Sequence, residues 1–333
     1  MRPCSSATHH NTLDMENESD HPPRGLVENK ERGAFYKDAA DYWSQIPATV
    51  DGMLGGYGHI STVDIKGSTQ FLRQLFRLKV APGKERAIDC GAGIGRITKN
   101  LLFNHFKKVD LVEQDPAFVA QARTALEAHS HMGNFYCSGL QSFEPEADTY
   151  DVIWCQWVLG HLKDDDLIQF LQRCIRGIKE NGIIVIKENA TTSTELDEDS
   201  TDSSVTRPLD HLCRLLQEAG LRCVKQKRQE NFPHGLYPVY MIATRPLNQE
   251  TSDDSLNQVG INTDLSASNT SESFEEEANG FNCQVEYSSD DSTKTEVSPT
   301  DTVSNRGLKF KHLSNENNSN RMREVTDKTC DIV

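Results

Sequence analysis

The sequence predicts an α/β fold in which helices cover the faces of a mostly parallel sheet. Three observations predict it: short apolar runs alternate with longer amphipathic stretches, a glycine-rich segment follows the first run, and a carboxylate ends the second. Such alternation is typical of strands joined by crossover helices. The predicted strands are 87–90, 109–112, 134–137, 151–154 and 183–186.

The predicted helices carry signals at their ends. Asp115-Pro116 gives a cap with proline at the first helical position, whereas Asn181-Gly182 and Gly220 suit helix exits. These signals favour the same α/β assignment. The helices are predicted over 94–106, 116–128, 165–179 and 209–219.

Further elements flank this alternating pattern. Segment 68–79 repeats apolar residues at the spacing of an amphipathic helix, which we expect to pack on the sheet before the first strand. Segments 222–228 and 237–244 predict a final antiparallel pair joined through 230–235.

Composition divides the chain of 333 residues into three parts. Residues 247–333 contain 17 Asp and Glu against 7 Lys and Arg, and so carry −10 of the total net charge of −15. Polar, charged segments of this kind cannot bury enough apolar surface to become ordered. We predict disordered tails over 1–32 and 247–333, the second acidic and Ser-rich. The folded domain between them, 33–246, divides into a helical extension or lid over 33–80 and an α/β core over 81–246.

The composition argues against several classes of protein. No stretch approaches the ~20 apolar residues of a membrane span, and the start of the chain lacks the apolar core of a signal peptide. The nine cysteines include no C-x-x-C pair, so neither a zinc site nor a disulfide framework is predicted. The net negative charge argues against direct nucleic-acid binding. We expect a soluble intracellular protein without a metal.

The glycine-rich segment predicts a nucleotide-type cofactor site. Gly91, Gly93 and Gly95 leave a predicted strand and open a predicted helix, where open α/β sheets bind nucleotides. Glu113 ends the next strand, and a carboxylate there can accept hydrogen bonds from both ribose hydroxyls of an adenosine. The spacing G-x-G-x-G favours S-adenosylmethionine over a nicotinamide dinucleotide, whose usual fingerprint is G-x-G-x-x-G. By spacing alone, 139–141 is equally well an adenine-binding segment or an ordinary loop.

Two segments distinguish the chain from a generic methyltransferase: Gln156-Trp157-Val158-Leu159-Gly160-His161 and the run VDGMLGGYGHI at 50–60. Together they resemble the eukaryotic protein α-N-terminal methyltransferase family. The resemblance spans most of the folded domain and neither tail, and its other segments are 35–36, 42–47, 183–189, 202–205 and 237–240.

The resemblance implies a class I S-adenosylmethionine-dependent methyltransferase fold. This is a Rossmann-like, seven-stranded sheet with an N-terminal helical extension. It also implies substrates whose exposed N-termini read Xaa-Pro-Lys, and residence in the nucleus and cytoplasm. The family pattern has Asp at the acidic position where this chain has Glu113. The implied cofactor contacts are Gly91, Gly93, Arg96, Glu113, Leu140, Gln141, Gln156 and Trp43.

Catalytic and substrate-binding residues follow from the same resemblance. Asp202 and His161 are expected to take up protons from the substrate's α-amino group and to orient it. Asn189 is expected to bind the first backbone carbonyl of the substrate, and Trp157 to pack against its proline. An acidic loop over 190–201, about two residues longer than the family pattern, would attract the substrate lysine. The further predicted substrate contacts are Asp199, Ser204, Tyr237 and Tyr57.

Other interpretations remain open at the level of sequence. A lone histidine after an apolar strand is more often a core residue, Trp157 and Trp43 could be core aromatics, and an acidic run is commonly a solvated loop. The same fold could methylate RNA or a small molecule, or bind N-termini without modifying them. A nicotinamide-dependent dehydrogenase would need a dinucleotide fingerprint and a second domain, and neither is found. We expect a monomer or a weak dimer.

Overall fold

The computed structural model describes residues 24–247, and the predicted tails therefore lie mostly outside the described residues. The sheet has the strand order β3-β2-β1-β4-β5, with β9 beside β5 and β8 beside β9. These seven strands form the predicted core. Their bounds are β1 Arg86–Cys90, β2 Lys108–Glu113, β3 Met132–Cys137, β4 Tyr150–Gln156, β5 Ile178–Thr191, β8 Leu221–Arg228 and β9 Val239–Pro246.

Seven α-helices and three 3-10 helices accompany these strands in the part of the chain that the structure describes. The 3-10 helices are Gly58–Ile60, Leu102–Asn104 and Leu159–His161. The α-helices are α1 Arg24–Trp43, α2 Val50–Met53, α3 Ser61–Leu75, α4 Arg96–Asn100, α5 Pro116–Leu126, α6 Asp164–Gly177 and α7 Leu209–Glu218.

Strand β1 lies between β2 and β4, and all three are parallel. Their carboxyl ends therefore open on one edge of the sheet, and the chain order reverses direction across β1. A crevice at such a reversal is where open α/β sheets bind ligands. Strand β9 runs antiparallel to β5 and to β8, so the predicted final antiparallel pair is present.

Alternation along the buried strands divides the apolar residues between the two faces of the sheet. On β1, Ile88 and Cys90 belong to one buried cluster, whereas Ala87 belongs to the other. On β4, Ile153 and Trp154 divide in the same way. Both faces are covered by helices, which explains why these strands read as continuous apolar runs.

The N-terminal extension differs in its bounds from the predicted segment. Helix α1 begins at Arg24, before the predicted boundary at residue 33. The helix predicted over 68–79 is present as α3 but begins earlier, at Ser61, and ends at Leu75. Phe71, Leu72 and Leu75 are fully buried and pack in the apolar cluster on one face of the sheet. The apolar spacing identified the packed half of this helix and not its polar first turns.

Two local predictions need correction. The helix predicted over 94–106 is short, because α4 ends at Asn100 and a 3-10 helix follows. The loop predicted over 190–201 contains β6, Asp197–Asp199, which forms an antiparallel hairpin with β7, Ser204–Pro208. Strand β7 continues beside the end of β5, at Ala190 and Thr191. The hairpin is built mostly from polar residues, so it has no apolar alternation that would predict it.

Among residues 24–247, the helices are all too short or too polar to span a membrane.

Candidate active site: two cavities that meet at one wall

The glycine loop after β1 has a backbone that favours glycine. Gly91, Gly93 and Gly95 have φ angles of +70°, +54° and +78°, in the left-handed region. A Cβ atom on Gly91 would lie 2.3 Å from Cγ2 of Val158, and one on Gly93 would lie 2.6 Å from Sδ of Met53. The loop is therefore closely covered by other segments of the chain, and side chains at Gly91 and Gly93 would disturb its neighbours.

A cavity of about 910 Å³ opens above this loop at the carboxyl ends of β1, β2 and β4. All eight predicted cofactor residues line it. They are Trp43, Gly91, Gly93, Arg96, Glu113, Leu140, Gln141 and Gln156.

Glu113 is held by the backbone that it faces. Its carboxylate accepts hydrogen bonds from the amides of Gly93, at 2.8 Å, and Asp115, at 2.9 Å. Burial raises the pKa of Glu113, and these amides counteract part of that rise. A carboxylate has about four acceptor positions, so Glu113 keeps capacity for a ribose hydroxyl.

A buried charge network supports the other side of the cavity. Asp64 of α3 accepts hydrogen bonds from Arg96 at 2.6 Å, from Gln156 at 2.9 Å and from Lys187 at 2.5 Å. Burial opposes ionisation of Asp64, but Lys187 and Arg96 outweigh it and hold the pKa of that carboxyl below its usual value. Two cations face one carboxylate, and one of them, Arg96, lines the cavity, so this wall suits a ligand that carries a carboxylate of its own.

A second cavity of about 820 Å³ adjoins the first. The two share Trp43, Met53, Trp157 and His161. The second cavity contains six of the predicted catalytic and substrate residues, and Tyr57 and Tyr237 line neither cavity. The six are Asp202, His161, Trp157, Asn189, Asp199 and Ser204.

The second cavity is acidic. Its lining includes three carboxylates, from Glu188, Asp199 and Asp202, and no Lys or Arg of the described residues. Burial, and then the charges of Asp202 and Asp199, raise the pKa of Tyr42 to about 12, so this phenol remains protonated beside them. The cavity therefore favours a cationic ligand.

Two features of the second cavity are unusual for a folded interior. Trp157 has a φ of +54°, a conformation that bulky residues seldom adopt and that often marks functional sites. Oδ1 of Asn189 is buried and has no hydrogen-bond partner among the described residues. An unpaired buried amide is costly, and a bound ligand can supply its partner.

His161 lies at the wall that the two cavities share. Trp43 donates from Nε1 to Nε2 of His161 at 3.1 Å, so the proton of a neutral ring is assigned to Nδ1, which lies 3.3 Å from the carbonyl oxygen of Ser203. Burial lowers the pKa of His161, although the charge of Asp202 opposes this. Asp202 itself accepts a hydrogen bond of 2.6 Å from Ser204.

Comparison with known proteins identifies the family. Residues 31–245 match the family described as AdoMet-dependent proline di-methyltransferases. The chain belongs to this family. It is 50% identical over 223 residues to the N-terminal Xaa-Pro-Lys N-methyltransferase 1 of Xenopus tropicalis, covering 66% of this chain and 98% of that one. It is 51% identical over 215 residues to the human protein of the same name, covering 63% and 95%.

A solved structure supports the same fold. A SAM-dependent methyltransferase from Leishmania major superposes with a TM-score of 0.60 and 40% identity, over 63% of this chain and 83% of that one. The chain is therefore a class I methyltransferase whose cofactor is S-adenosylmethionine. The glycine loop and the Glu113 carboxylate suit the adenosine part of that cofactor, with Glu113 placed for a ribose hydroxyl. The cations around Asp64 suit the carboxylate of its methionine part.

The structure also places residues at the two cavities that the sequence did not single out. Met53 lines both cavities, and Asp64 joins the residues beneath the first. Glu188 lines the second cavity, where burial raises its pKa to about 7 against the opposing amides of Leu159 and Val158. Only the position of Glu188, beside Asn189 at the end of a strand, could have suggested it. Among residues 24–247, no cluster of three or more His, Cys, Asp or Glu is arranged to hold a metal.

Tyr57 and Tyr237 remain predictions as substrate contacts. The hydroxyl of Tyr237 donates to Asp197 of the hairpin, and the ring of Tyr57 lies 5.9 Å from that of His59. Tyr237 is therefore bonded to the β6–β7 hairpin and does not line the acidic cavity.

Proposed function

We propose that this protein transfers methyl groups to the α-amino group of proteins whose exposed N-terminus reads Xaa-Pro-Lys. One observation carries the proposal: the cavity that adjoins the cofactor site is lined by the carboxylates of Asp199 and Asp202 and by an aromatic face, with no Lys or Arg among the described residues that line it. An N-terminal amine and a nearby lysine are both cations. The related proteins of Xenopus tropicalis and human are named for the same substrate motif.

The chemistry sets a proton problem for the enzyme. S-adenosylmethionine supplies a methyl group that is already activated on a sulfonium, and an amine lone pair accepts it by in-line displacement. An α-amino group has a pKa of about 7.7 to 8.0, so at neutral pH most of it is protonated and lacks that lone pair. A proton acceptor beside the amine, and accurate alignment of the amine, are therefore what the protein must provide.

Asp202 and His161 are suited to that task. Both line the second cavity, and His161 also lines the cofactor cavity. Because burial lowers the pKa of His161, its ring is neutral at pH 7. Its Nε2 can accept a proton from the amine once the amine takes the place of the Trp43 donor. The Asp202 carboxylate attracts the ammonium form and stabilises the positive charge that His161 gains.

Recognition of the peptide falls to neighbouring residues. The Trp157 ring offers an apolar face for the proline at the second position. The amide of Asn189, which lacks a partner for Oδ1, is available to the peptide backbone. Asp199 and Ser204 form the closing pair of the β6–β7 hairpin and line the cavity, where the carboxylate can attract the third-position lysine.

Mass spectrometry tests the proposal. A Ser-Pro-Lys-Arg peptide is incubated with enzyme and S-adenosylmethionine, beside the same peptide with an acetylated N-terminus. Stepwise addition of methyl groups to the free peptide alone is expected. Transfer to neither peptide, with cofactor binding intact, would indicate another acceptor or a role limited to binding.

Two cellular properties complete the proposal. We place the enzyme in both nucleus and cytoplasm, which imaging of a tagged full-length chain tests. We also propose that the enzyme is a monomer or a weak dimer. Light scattering at assay concentration, compared with specific activity on dilution, tests this second point.

A further inference from the structure

A single short turn carries His161 into the shared wall. It consists of residues 158–162 and contains the 3-10 helix Leu159–His161. Within it, His161 donates to the carbonyl of Val158 at 3.1 Å, and Leu162 donates to that of Leu159 at 3.2 Å. Two such hydrogen bonds do not fix one turn in water, since short 3-10 segments have poor hydrogen-bond geometry. The turn therefore depends on outside contacts for its position.

Glu188 holds the beginning of the turn. One of its oxygens, Oε1, accepts hydrogen bonds from the amides of Val158 at 2.7 Å and Leu159 at 2.8 Å. These amides stand at the start of the helix, where no partner within the helix exists. Glu188 belongs to β5, so the beginning of the turn is tied to the centre of the sheet.

Arg207 holds the end of the turn. Its guanidinium donates to the carbonyl of Leu159 at 3.0 Å and to that of Leu162 at 2.6 Å, and it is 4% exposed. Nε of Arg207 donates to Asp164 at 2.8 Å, and His211 lies 2.7 Å from the other oxygen of Asp164. The guanidinium is therefore fixed in orientation as well as buried.

The turn touches both cavities. Val158 lies over Gly91 in the cofactor loop, so closely that a Cβ on Gly91 would overlap it. A Cβ on Gly160 would lie 3.1 Å from the carbonyl oxygen of Val205 in β7, so the turn also rests on the hairpin. A small displacement of the turn would move His161 relative to the cofactor site and to Asp202 together.

We propose that Glu188 and Arg207 are positioning residues for catalysis, which clamp the 158–162 turn so that His161 faces the reacting amine. The inference rests on the proposed function, because His161 matters only if it accepts the amine's proton. Neither residue needs to touch the substrate. Their effect is expected in the rate of the chemical step rather than in cofactor affinity.

The chain offers a matched comparison for Arg207. Arg173 of α6 also grips two carbonyls, those of Phe143 at 2.7 Å and Leu140 at 2.8 Å, but beside the cofactor cavity. Arg176 forms an exposed ion pair with Glu144, so a substitution there serves as the control that should have no effect. Lysine at each position keeps the charge but cannot bridge two carbonyls with the same geometry.

The first experiment measures steady-state kinetics and thermal melting of Arg207→Lys, Arg173→Lys and Arg176→Lys. Arg207→Lys should lower kcat at least about tenfold while the Kd for S-adenosylhomocysteine changes less than about threefold, because misalignment costs rate. Arg173→Lys should raise the KM for S-adenosylmethionine and retain kcat at saturation, and Arg176→Lys should match the wild type. Unchanged kcat in a folded Arg207→Lys, or a loss explained by cofactor affinity alone, would overturn the clamp.

The second experiment separates positioning by Glu188 from proton transfer. Both turn amides donate to one oxygen of Glu188, and in Glu188→Gln the side-chain amide oxygen of the glutamine can accept both bonds instead. This variant should therefore keep kcat within about threefold of the wild type. Glu188→Leu cannot accept either bond and should lose at least about tenfold in kcat. Equal impairment of the two variants would make Glu188 an acid or base and reject the positioning role, as would full activity of Glu188→Leu.

A readout without turnover distinguishes failure of the clamp from failure of the proposed function. The histidine ring signals are followed by NMR through a pH titration of isotope-labelled protein, with His161→Gln used for assignment. Loosening the turn in Arg207→Lys should expose the ring and raise the pKa of His161 toward its ordinary value near 6.5. If the pKa of His161 rises in Arg207→Lys but the wild-type protein methylates no N-terminal peptide, the positioning role of Arg207 is supported and the proposed function is rejected. An unchanged His161 titration, with wild-type methyl transfer intact, would reject the clamp alone.

Discussion

The two cavities differ in how completely their polar groups are satisfied without a ligand. At the cofactor cavity, Glu113 accepts hydrogen bonds from backbone amides, and Asp64 accepts hydrogen bonds from Arg96 and Gln156 in a buried network. In the substrate cavity, Asn189 has a buried oxygen without a partner among the described residues. The cofactor site is therefore preorganised by the sheet and its glycine loop, whereas we expect the peptide to complete the substrate site.

The largest expected effect tests the preorganised cavity. Gly91→Asp should lower the affinity for S-adenosylhomocysteine by at least about 100-fold, because the left-handed backbone strains any side chain and its Cβ would meet Val158. Calorimetric titration measures this affinity. Gly33→Asp is the matched control, since a Cβ at Gly33 meets nothing within 4 Å. An unchanged affinity in Gly91→Asp would show that this loop does not bind the cofactor.

The next effect should appear only in the substrate cavity. Asp202→Asn removes the carboxylate that attracts the ammonium group and supports a protonated His161, so kcat should fall about 100-fold with cofactor affinity retained. Radiolabelled methyl transfer and calorimetry measure the two quantities. Glu146→Gln, at an exposed position, controls for loss of one charge. An equal loss of cofactor affinity would remove the distinction between the cavities.

A smaller and opposite pair of effects is expected at Asn189. Asn189→Leu removes the buried oxygen that lacks a partner, so the free enzyme should gain stability, by about 1 kcal/mol. The same variant should raise the KM for an Xaa-Pro-Lys peptide about tenfold, because a hydrogen bond to the substrate backbone is lost. Denaturant unfolding and steady-state kinetics check the two. A less stable variant with an unchanged peptide KM would show that Asn189 is an ordinary structural residue.

The smallest effect concerns stability against pH. Burial raises the pKa of Glu188 to about 7 in the folded protein, above the ordinary value of 4.5. The folded state therefore holds this proton more tightly, and the resulting stability is lost as pH rises from about 4.5 through 7. Glu188→Gln cannot ionise, so its melting temperature relative to the wild type should increase between about pH 5 and pH 8. A difference that is constant with pH would show that Glu188 is not buried enough to titrate this way.

The sequence predicts the elements around the cofactor cavity better than those around the substrate cavity. Buried parallel strands leave continuous apolar runs, so β1, β2 and β4 were identifiable, and the glycine loop between β1 and α4 was visible as a motif. The β6–β7 hairpin was not, because its strands are polar and are held by backbone pairing at the end of β5.

The supporting residues of the site were hidden for a different reason. Asp64 bonds to Gln156 and Lys187, which are 92 and 123 positions away in the chain. Arg207 reaches carbonyls 48 and 45 positions away. No local spacing encodes such contacts, so their roles appear only once the strands are assembled. Of the residues expected to touch ligands, Gly91, Gly93 and Glu113 are predicted by local spacing and the others by the family resemblance. The residues that position them required the fold.

A crystal structure of the enzyme with S-adenosylhomocysteine and a Ser-Pro-Lys-Arg peptide would test the central claim most directly. We expect the cofactor product above the glycine loop and the peptide in the second cavity. Its α-amino nitrogen should lie within hydrogen-bond distance, about 3.2 Å, of Asp202 or His161, and its backbone should bond to Asn189. A peptide bound by its lysine side chain at the shared wall, or bound outside the second cavity, would contradict it.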